Sequence, residues 1–230
     1  MNQLQDLSRS FRVERVAAPL RHGVTDSIRN AIAVGHFRPG QRLPERALCE
    51  MTGVSRTLVR EALRQLESEG LIEVIPNRGP VVSRLTVAQA EGIYAVRLEL
   101  EGLACELFVK NATPARHEAL ERAFATLQEA MTQDDPIKRI NAKNAFYDRL
   151  VEGTGNEALG DTLRMLNARI TLLRATSLQL PGRSRKSIGE LEAVMAALRA
   201  GDGRAARRLA VAHVRNAAEA ALEQMRAGDG

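Results

Sequence analysis

Arg56, Thr57 and Arg60 lie in the run Val54-Ser55-Arg56-Thr57-Leu58-Val59-Arg60-Glu61-Ala62-Leu63, at a spacing that gathers them with Arg64 on one face of a helix. Leu58, Val59, Ala62, Leu63 and Leu66 fall on the opposite face. Guanidinium groups collected on one exposed side suit anions and base edges. Their planar fork matches phosphate oxygens, or the major-groove edge of guanine, with two parallel hydrogen bonds. The chemistry on offer is DNA reading. A merely solvated charged face is the other reading of such a stripe, and the flanking elements decide between the two.

Upstream, Glu45 to Met51 reads as a short helix, followed by the turn Thr52-Gly53-Val54, with Ser55 placed to cap the next helix through its hydroxyl. Helix, short turn containing Gly, helix is the helix-turn-helix layout. Downstream, Gly70 ends the basic helix. The segments Leu71-Ile72-Glu73-Val74-Ile75 and Val81-Val82-Ser83-Arg84-Leu85 then read as two strands around Pro76-Asn77-Arg78-Gly79-Pro80. A hairpin in that place is a wing, so the reading is a winged helix.

The stretch from Leu20 to Leu85 closely resembles the DNA-binding domain of GntR-family bacterial transcription regulators. Phe37-Arg38-Pro39-Gly40-Gln41-Arg42-Leu43, Arg46-Ala47-Leu48, the run from Val54 to Leu63 and Glu69-Gly70-Leu71-Ile72 carry the likeness. The resemblance implies DNA contacts at Arg46, Arg56, Thr57 and Arg60, with a wing tip of Asn77, Arg78 and Gly79 entering the minor groove. It makes Arg42 and Arg64 weaker candidates, as phosphate contacts or solvated side chains.

At 230 residues the chain has room for two domains, and the winged helix uses about its first third. Residues 1–85 hold 13 Lys+Arg against 9 Asp+Glu, while residues 86–230 hold 20 against 19, so most of the net charge of +5 sits in the DNA-reading part. Residues 1–18, polar and weakly patterned, read as an N-terminal arm. The first residues show no apolar stretch of the signal-peptide kind and no run approaches a membrane span of about 20 apolar residues, so the expected location is the cytoplasm. Cys49 and Cys105 lack C-x-x-C spacing and read as reduced, packed thiols.

Beyond Thr86 the pattern is all helical, giving a mainly α protein: an N-terminal winged helix over 19–85 and a helical bundle over 86–230. Thr86-Val87-Ala88-Gln89 is a capping box, and Thr113-Pro114 and Asp135-Pro136 open two further helices. Asn156 starts another, Ser187-Ile188-Gly189-Glu190 reads as a second capping box, and Gly201-Asp202-Gly203 precedes the last helix.

This half resembles the FCD effector domain of the FadR subfamily of GntR regulators. Arg97-Leu98-Glu99-Leu100-Glu101, Phe146-Tyr147-Asp148-Arg149-Leu150, Gly155-Asn156, Glu190-Leu191, Ala200-Gly201-Asp202 and His213-Val214 carry that likeness. Many such domains hold a metal with an Asp and three His. Here Lys143, Tyr147 and Leu191 stand at three of those positions and only His213 remains. One His cannot hold a metal that needs about three or four ligands, so no metal or other cofactor is expected.

Arg97 lies on its helix among Ala90, Ile93, Tyr94, Ala104 and Phe108, where a guanidinium needs an anionic or hydrogen-bonding partner. Two readings stay open: a structural pair with Glu101 four residues on, or a clamp for an effector carboxylate assisted by Tyr94, Asn144, Tyr147 and His213. His213 also fits a packed residue at the border of an apolar face, and Arg174 could face the same cavity. The function expected is a DNA-binding repressor rather than an enzyme. It would act as a homodimer on a palindromic operator in double-stranded DNA and be controlled by a small organic acid. An aminotransferase-like half would need more chain and a phosphate motif, and a bundle serving only for assembly would not need these polar residues.

Overall fold

A computed structural model of the chain describes residues 18–178 and 180–228, so the N-terminal arm lies, apart from Ala18, outside the described residues. The DNA-reading part comprises α1 (Ala18–Ala33), α2 (Glu45–Thr52), α3 (Arg56–Ser68), β1 (Ile72–Ile75) and β2 (Gly79–Val82). Its core joins Ile28 and Ile32 of α1, Leu43, Leu48 of α2, Val59, Ala62 and Leu66 of α3, and Leu71, Ile72 and Val82 around the hairpin. The turn between α2 and α3 forms because Gly53 takes a left-handed conformation (φ 70°) and donates its N–H to the Cys49 carbonyl. Ser55 then accepts from the Leu58 N–H at 3.4 Å, satisfying one of the free amides at the start of α3. At the far end Arg29 of α1 holds the Glu69 carboxylate at 2.9 Å, tying the outer helix to the end of α3.

The hairpin is antiparallel, pairing Ile72 with Val82 and Ile75 with Gly79. Its second strand corrects the sequence reading: it starts at Gly79, two residues earlier than Val81, and stops at Val82. The segment before α2 explains the shift. Leu43 donates its N–H to the Pro80 carbonyl at 2.8 Å and Gly40 donates to the Val82 carbonyl at 2.7 Å, so β2 is bonded on both edges. Pro80, which has no N–H to satisfy, is tolerated there. The free tip is therefore Pro76-Asn77-Arg78, with Asn77 at φ 62°, and Gly79 belongs to the strand rather than the tip.

The helical half contains α4 (Val87–Asn111), α5 (Pro114–Thr132), α6 (Pro136–Thr154), α7 (Glu157–Leu178), α8 (Arg183–Arg199) and α9 (Gly203–Gly228). The Thr86–Gln89 capping box is complete, Thr113 and Asp135 cap α5 and α6, and Asn156 accepts from the Leu159 N–H at 3.1 Å. The expected cap at Ser187 is not one. Helix α8 already begins at Arg183, after Gly182 in the left-handed conformation, which leaves Ser187 inside the helix and fully buried.

Phe108, Phe124, Phe146, Leu150, Leu191 and Val194 fill the largest core, and Ala90, Ile170, Leu173, Val214 and Ala221 form a second one between α4, α7 and α9. The two halves meet through α7. Its Ala168 and Leu172 complete the winged-helix core, its Ala175 packs with Ala33 and Ile140, and its Arg169 lies over Gly70 at the end of α3.

Candidate functional site

On the DNA-reading surface, Arg56, Thr57, Arg60 and Arg64 of α3 are all exposed, and Arg46 of α2 is 84% exposed in its side chain. Apolar burial of Val59, Ala62, Leu63 and Leu66 on the other side of α3 fixes which face looks outward. Two of the arginines already have internal partners. Arg60 Nε lies 2.8 Å from both carboxylate oxygens of Glu45 at the start of α2, and Arg46 Nε lies 2.9 Å from Glu50 Oε1. Arg78 at the wing tip donates to the Gly40 carbonyl at 3.1 Å, while Asn77 beside it is exposed, as is Arg42. Exposed pairs of this kind are weak and exchangeable for phosphate or base-edge contacts.

Inside the bundle, α4, α6, α7, α8 and α9 bring together an unusual density of buried charge. Arg97 and Glu101 come from α4, Lys143 from α6, Arg174 from α7, Arg183 and Ser187 from α8 and His213 from α9, and each is at most 6% exposed. Glu101 is shared: its Oε1 lies 2.6 Å from Arg97 Nε and 3.2 Å from Arg174 Nη2. Arg174 also donates to Asn144 Oδ1 at 2.7 Å and sits over the Tyr147 ring, 4.0 Å from its centroid. Glu190 receives Arg183 Nη2 at 2.9 Å and His213 Nδ1 at 2.5 Å, and Lys143 Nζ donates to Ser187 Oγ at 2.9 Å. Even so, Arg97 Nη1, Arg174 Nε, Arg183 Nε and Nη1, and His213 Nε2 are buried with no protein partner. Of these, Arg174 lines a cavity of about 340 Å³ whose wall also includes Glu101, Tyr147 and Asp148.

The electrostatics follow from burial plus the local excess of cations. Burial drives the Lys143 amine well below its ordinary range, helped by Arg97, Arg174 and Arg183. Burial likewise lowers His213 to about 3, with Lys143 adding to the shift, so the imidazole is neutral at pH 7. With Nδ1–H turned toward the Glu190 carboxylate, His213 Nε2 is left as an acceptor. Burial opposes the charge on Glu101, but Arg97 and Arg174 outweigh it and hold the carboxyl ionised. Glu190 is brought to about 2, its burial being overcome by hydrogen bonds from His213 and Asn216.

The family model for the FCD domain matches residues 92–216, and the model described as bacterial regulatory proteins, gntR family, matches residues 20–90. The chain belongs to the GntR family of bacterial regulatory proteins. It is similar to the HTH-type transcriptional regulator YdhC of Bacillus subtilis, at 34% identity over 152 residues, covering 65% of this chain and 67% of YdhC. It is also similar to the HTH-type transcriptional regulator McbR of Escherichia coli, at 29% identity over 184 residues, covering 78% of this chain and 82% of McbR. The solved structure of E. coli McbR/YncC superposes with a TM-score of 0.78 at 26% identity, over 91% of this chain and 100% of that one. This GntR protein is thus a DNA-binding transcriptional regulator with an FCD domain, and not an enzyme.

Of the residues singled out in this GntR regulator's bundle, Arg97, Asn144, Tyr147 and His213 gather with the buried cations. Tyr94 touches the cluster only through its ring, 5.6 Å from the Arg97 guanidinium. Its hydroxyl is turned away, toward the Leu173 and Ala217 carbonyls at 3.4 and 3.3 Å. The sequence reading missed Arg183, Ser187 and Glu190, took Lys143 only as the loss of a metal ligand, and left Arg174 secondary. No local pattern marks these positions. A metal does not fit: Lys143 and three guanidinium groups make the cluster electropositive, and among the described residues no group of three or more His, Cys, Asp or Glu could hold an ion. Among the same residues no helix is long and apolar enough to cross a membrane.

Proposed function

We propose that this GntR-family protein is a FadR-type, metal-free repressor in the cytoplasm. It binds a palindromic operator as a homodimer and releases it when a small carboxylate enters the helical bundle. Arg56, Thr57 and Arg60 read bases, Arg46 holds the backbone, and Asn77, Arg78 and the adjoining Gly79 bring the wing to the minor groove. A two-fold dimer would present two such sets to two half-sites. The observation that supports an acid effector is the set of buried, unpartnered guanidinium N–H groups of Arg97, Arg174 and Arg183, of which Arg174 lines a cavity. A buried charge without a partner is costly, and an entering carboxylate would complete its hydrogen bonds.

Operator fragments selected from random DNA by the purified full chain supply the test. Their binding should weaken as carboxylates are titrated in, and by reciprocity those acids should bind the operator complex less tightly than the free protein. Arg97→Lys, which keeps a charge for Glu101 but loses the fork, should lower carboxylate affinity and spare operator affinity measured without acid. Operator binding that no carboxylate alters would sink the reading.

A further inference from the structure

We infer that the effector carries two acidic groups, one taken between Arg97 and Arg174 and the other beside Lys143 and Arg183. This rests on the reading of the bundle as an acid-binding site and specifies the class of acid. The cluster has two poles, each already served by its own internal carboxylate. Glu101 lies against Arg97 and Arg174, whereas Glu190 lies against Arg183, next to the Lys143–Ser187 pair.

Unused donors remain at both poles: Arg97 Nη1 and Arg174 Nε at the first, Arg183 Nε and Nη1 at the second. Lys143 Nζ, which has three donors, uses one on Ser187. A single carboxylate would complete one pole and leave buried donors orphaned at the other, each a standing cost. The charges agree. The guanidinium groups of Arg97, Arg174 and Arg183 face the carboxylates of Glu101 and Glu190, with Asp148 also acting on Arg174 from the cavity wall, so an ammonium on Lys143 would leave one positive charge uncompensated.

Around Lys143 stand Arg97 and Glu101 from α4, Arg174 from α7, Arg183 and Glu190 from α8 and His213 from α9, and burial, with the neighbouring guanidinium groups adding to it, disfavours its ammonium form. A second anionic group next to Nζ supplies the counter-charge a buried ammonium needs, so a dibasic acid binds with uptake of a proton onto Lys143 and a monobasic acid does not. Dicarboxylates and phosphate-bearing carboxylates share this chemistry.

The experiment is calorimetric titration of the full-length protein at pH 7.5 in buffers of different ionisation enthalpy. The probes are dicarboxylates from malonate to adipate, phosphoglycolate, and monocarboxylates of matching chain length. The best dibasic acid should bind at least about tenfold more tightly than its monobasic counterpart and take up a proton. Lys143→Met should abolish the proton uptake and most of the tenfold preference. Lys143→Gln, which keeps a partner for Ser187, repeats the test should the Met variant not fold. Monobasic acids that bind as well as dibasic ones and still release operator would overturn the dibasic assignment and leave the acid-effector reading standing. So would a preference that survives both Lys143 variants. Failure of every probe to bind would overturn that reading and this inference together.

Discussion

Glu101 Oε1 lies 3.2 Å from Arg174 Nη2, so the carboxylate that α4 sets against its own Arg97 also grips a guanidinium of α7. Helix α7 is the element that leaves the bundle and packs into the winged helix through Ala168 and Leu172. An anion competing with Glu101 for Arg174 therefore acts on the helix that touches the DNA-reading domain.

Glu101→Gln leaves Arg97 and Arg174 facing each other without their shared counter-charge. Removing one member of a buried ionic group costs about 3–5 kcal/mol, so the urea midpoint should fall accordingly. Added dicarboxylate should raise the melting temperature of this variant more than that of the wild type. An equal shift in both would mean that Glu101 and the ligand do not occupy the same field.

Leu172 touches both the winged-helix core and the small cluster of Ala33, Ile140 and Ala175. As a half-buried residue, its truncation to Ala should cost about 1–2 kcal/mol of stability, below the range for fully buried leucines. Acid binding should keep its affinity, while the acid's effect on operator affinity should shrink several-fold. Unchanged coupling would move the transmission path away from α7.

Arg56 and Arg60 stand on the outward face of α3, and Glu45 holds Arg60 in place when DNA is absent. Replacing either arginine by Ala should weaken operator binding about five- to hundredfold per half-site, with a smaller loss on random DNA. Glu45→Gln should tighten binding to both DNAs by releasing Arg60. Equal losses on operator and random DNA in the arginine variants would reduce these residues to backbone contacts.

Stability should fall in acid, where His213 and Glu190 add two contributions to the slope of the same sign that Lys143, held well below its ordinary 10.5 in the fold, already contributes. His213, lowered from 6.5 to about 3, is neutral in the fold but takes a proton when unfolded, so stability drops as pH falls from about 6.5 toward 3. Glu190, lowered from 4.5 to about 2, adds a loss as pH falls from about 4.5 toward 2. Denaturant midpoints measured between pH 8 and pH 4 should therefore decline more steeply below about pH 6.5. In His213→Gln that steepening should begin nearer pH 4.5. A wild-type midpoint whose slope does not steepen between pH 6.5 and pH 5 would show that His213 is not buried in its neutral form.

What the sequence alone determined is what short-range physics controls. The alternation of arginines and aliphatic residues from Ser55 to Leu66 fixes a helix with one outward basic face, because helical period needs only neighbouring residues. Thr86, Thr113, Asp135 and Asn156 mark helix starts for the same reason, since a cap bonds an amide two or three positions along the chain. The tertiary structure decided what depends on which surfaces are covered. Ser187-Ile188-Gly189-Glu190 has the composition of a cap, yet α8 starts at Arg183 and runs through it, and the Ser187 hydroxyl meets the Lys143 amine of α6 instead. The start of β2 at Gly79 depends on the distant segment around Gly40 and Leu43. Arg97 and Glu101 could be paired from their spacing on one helix. Arg174, Arg183, Lys143 and His213 come from separate helices, and a polar side chain on a helix reads the same in sequence whether solvent or another helix covers it. Only the packing of α4, α6, α7, α8 and α9 turns these scattered polar side chains into one buried cluster.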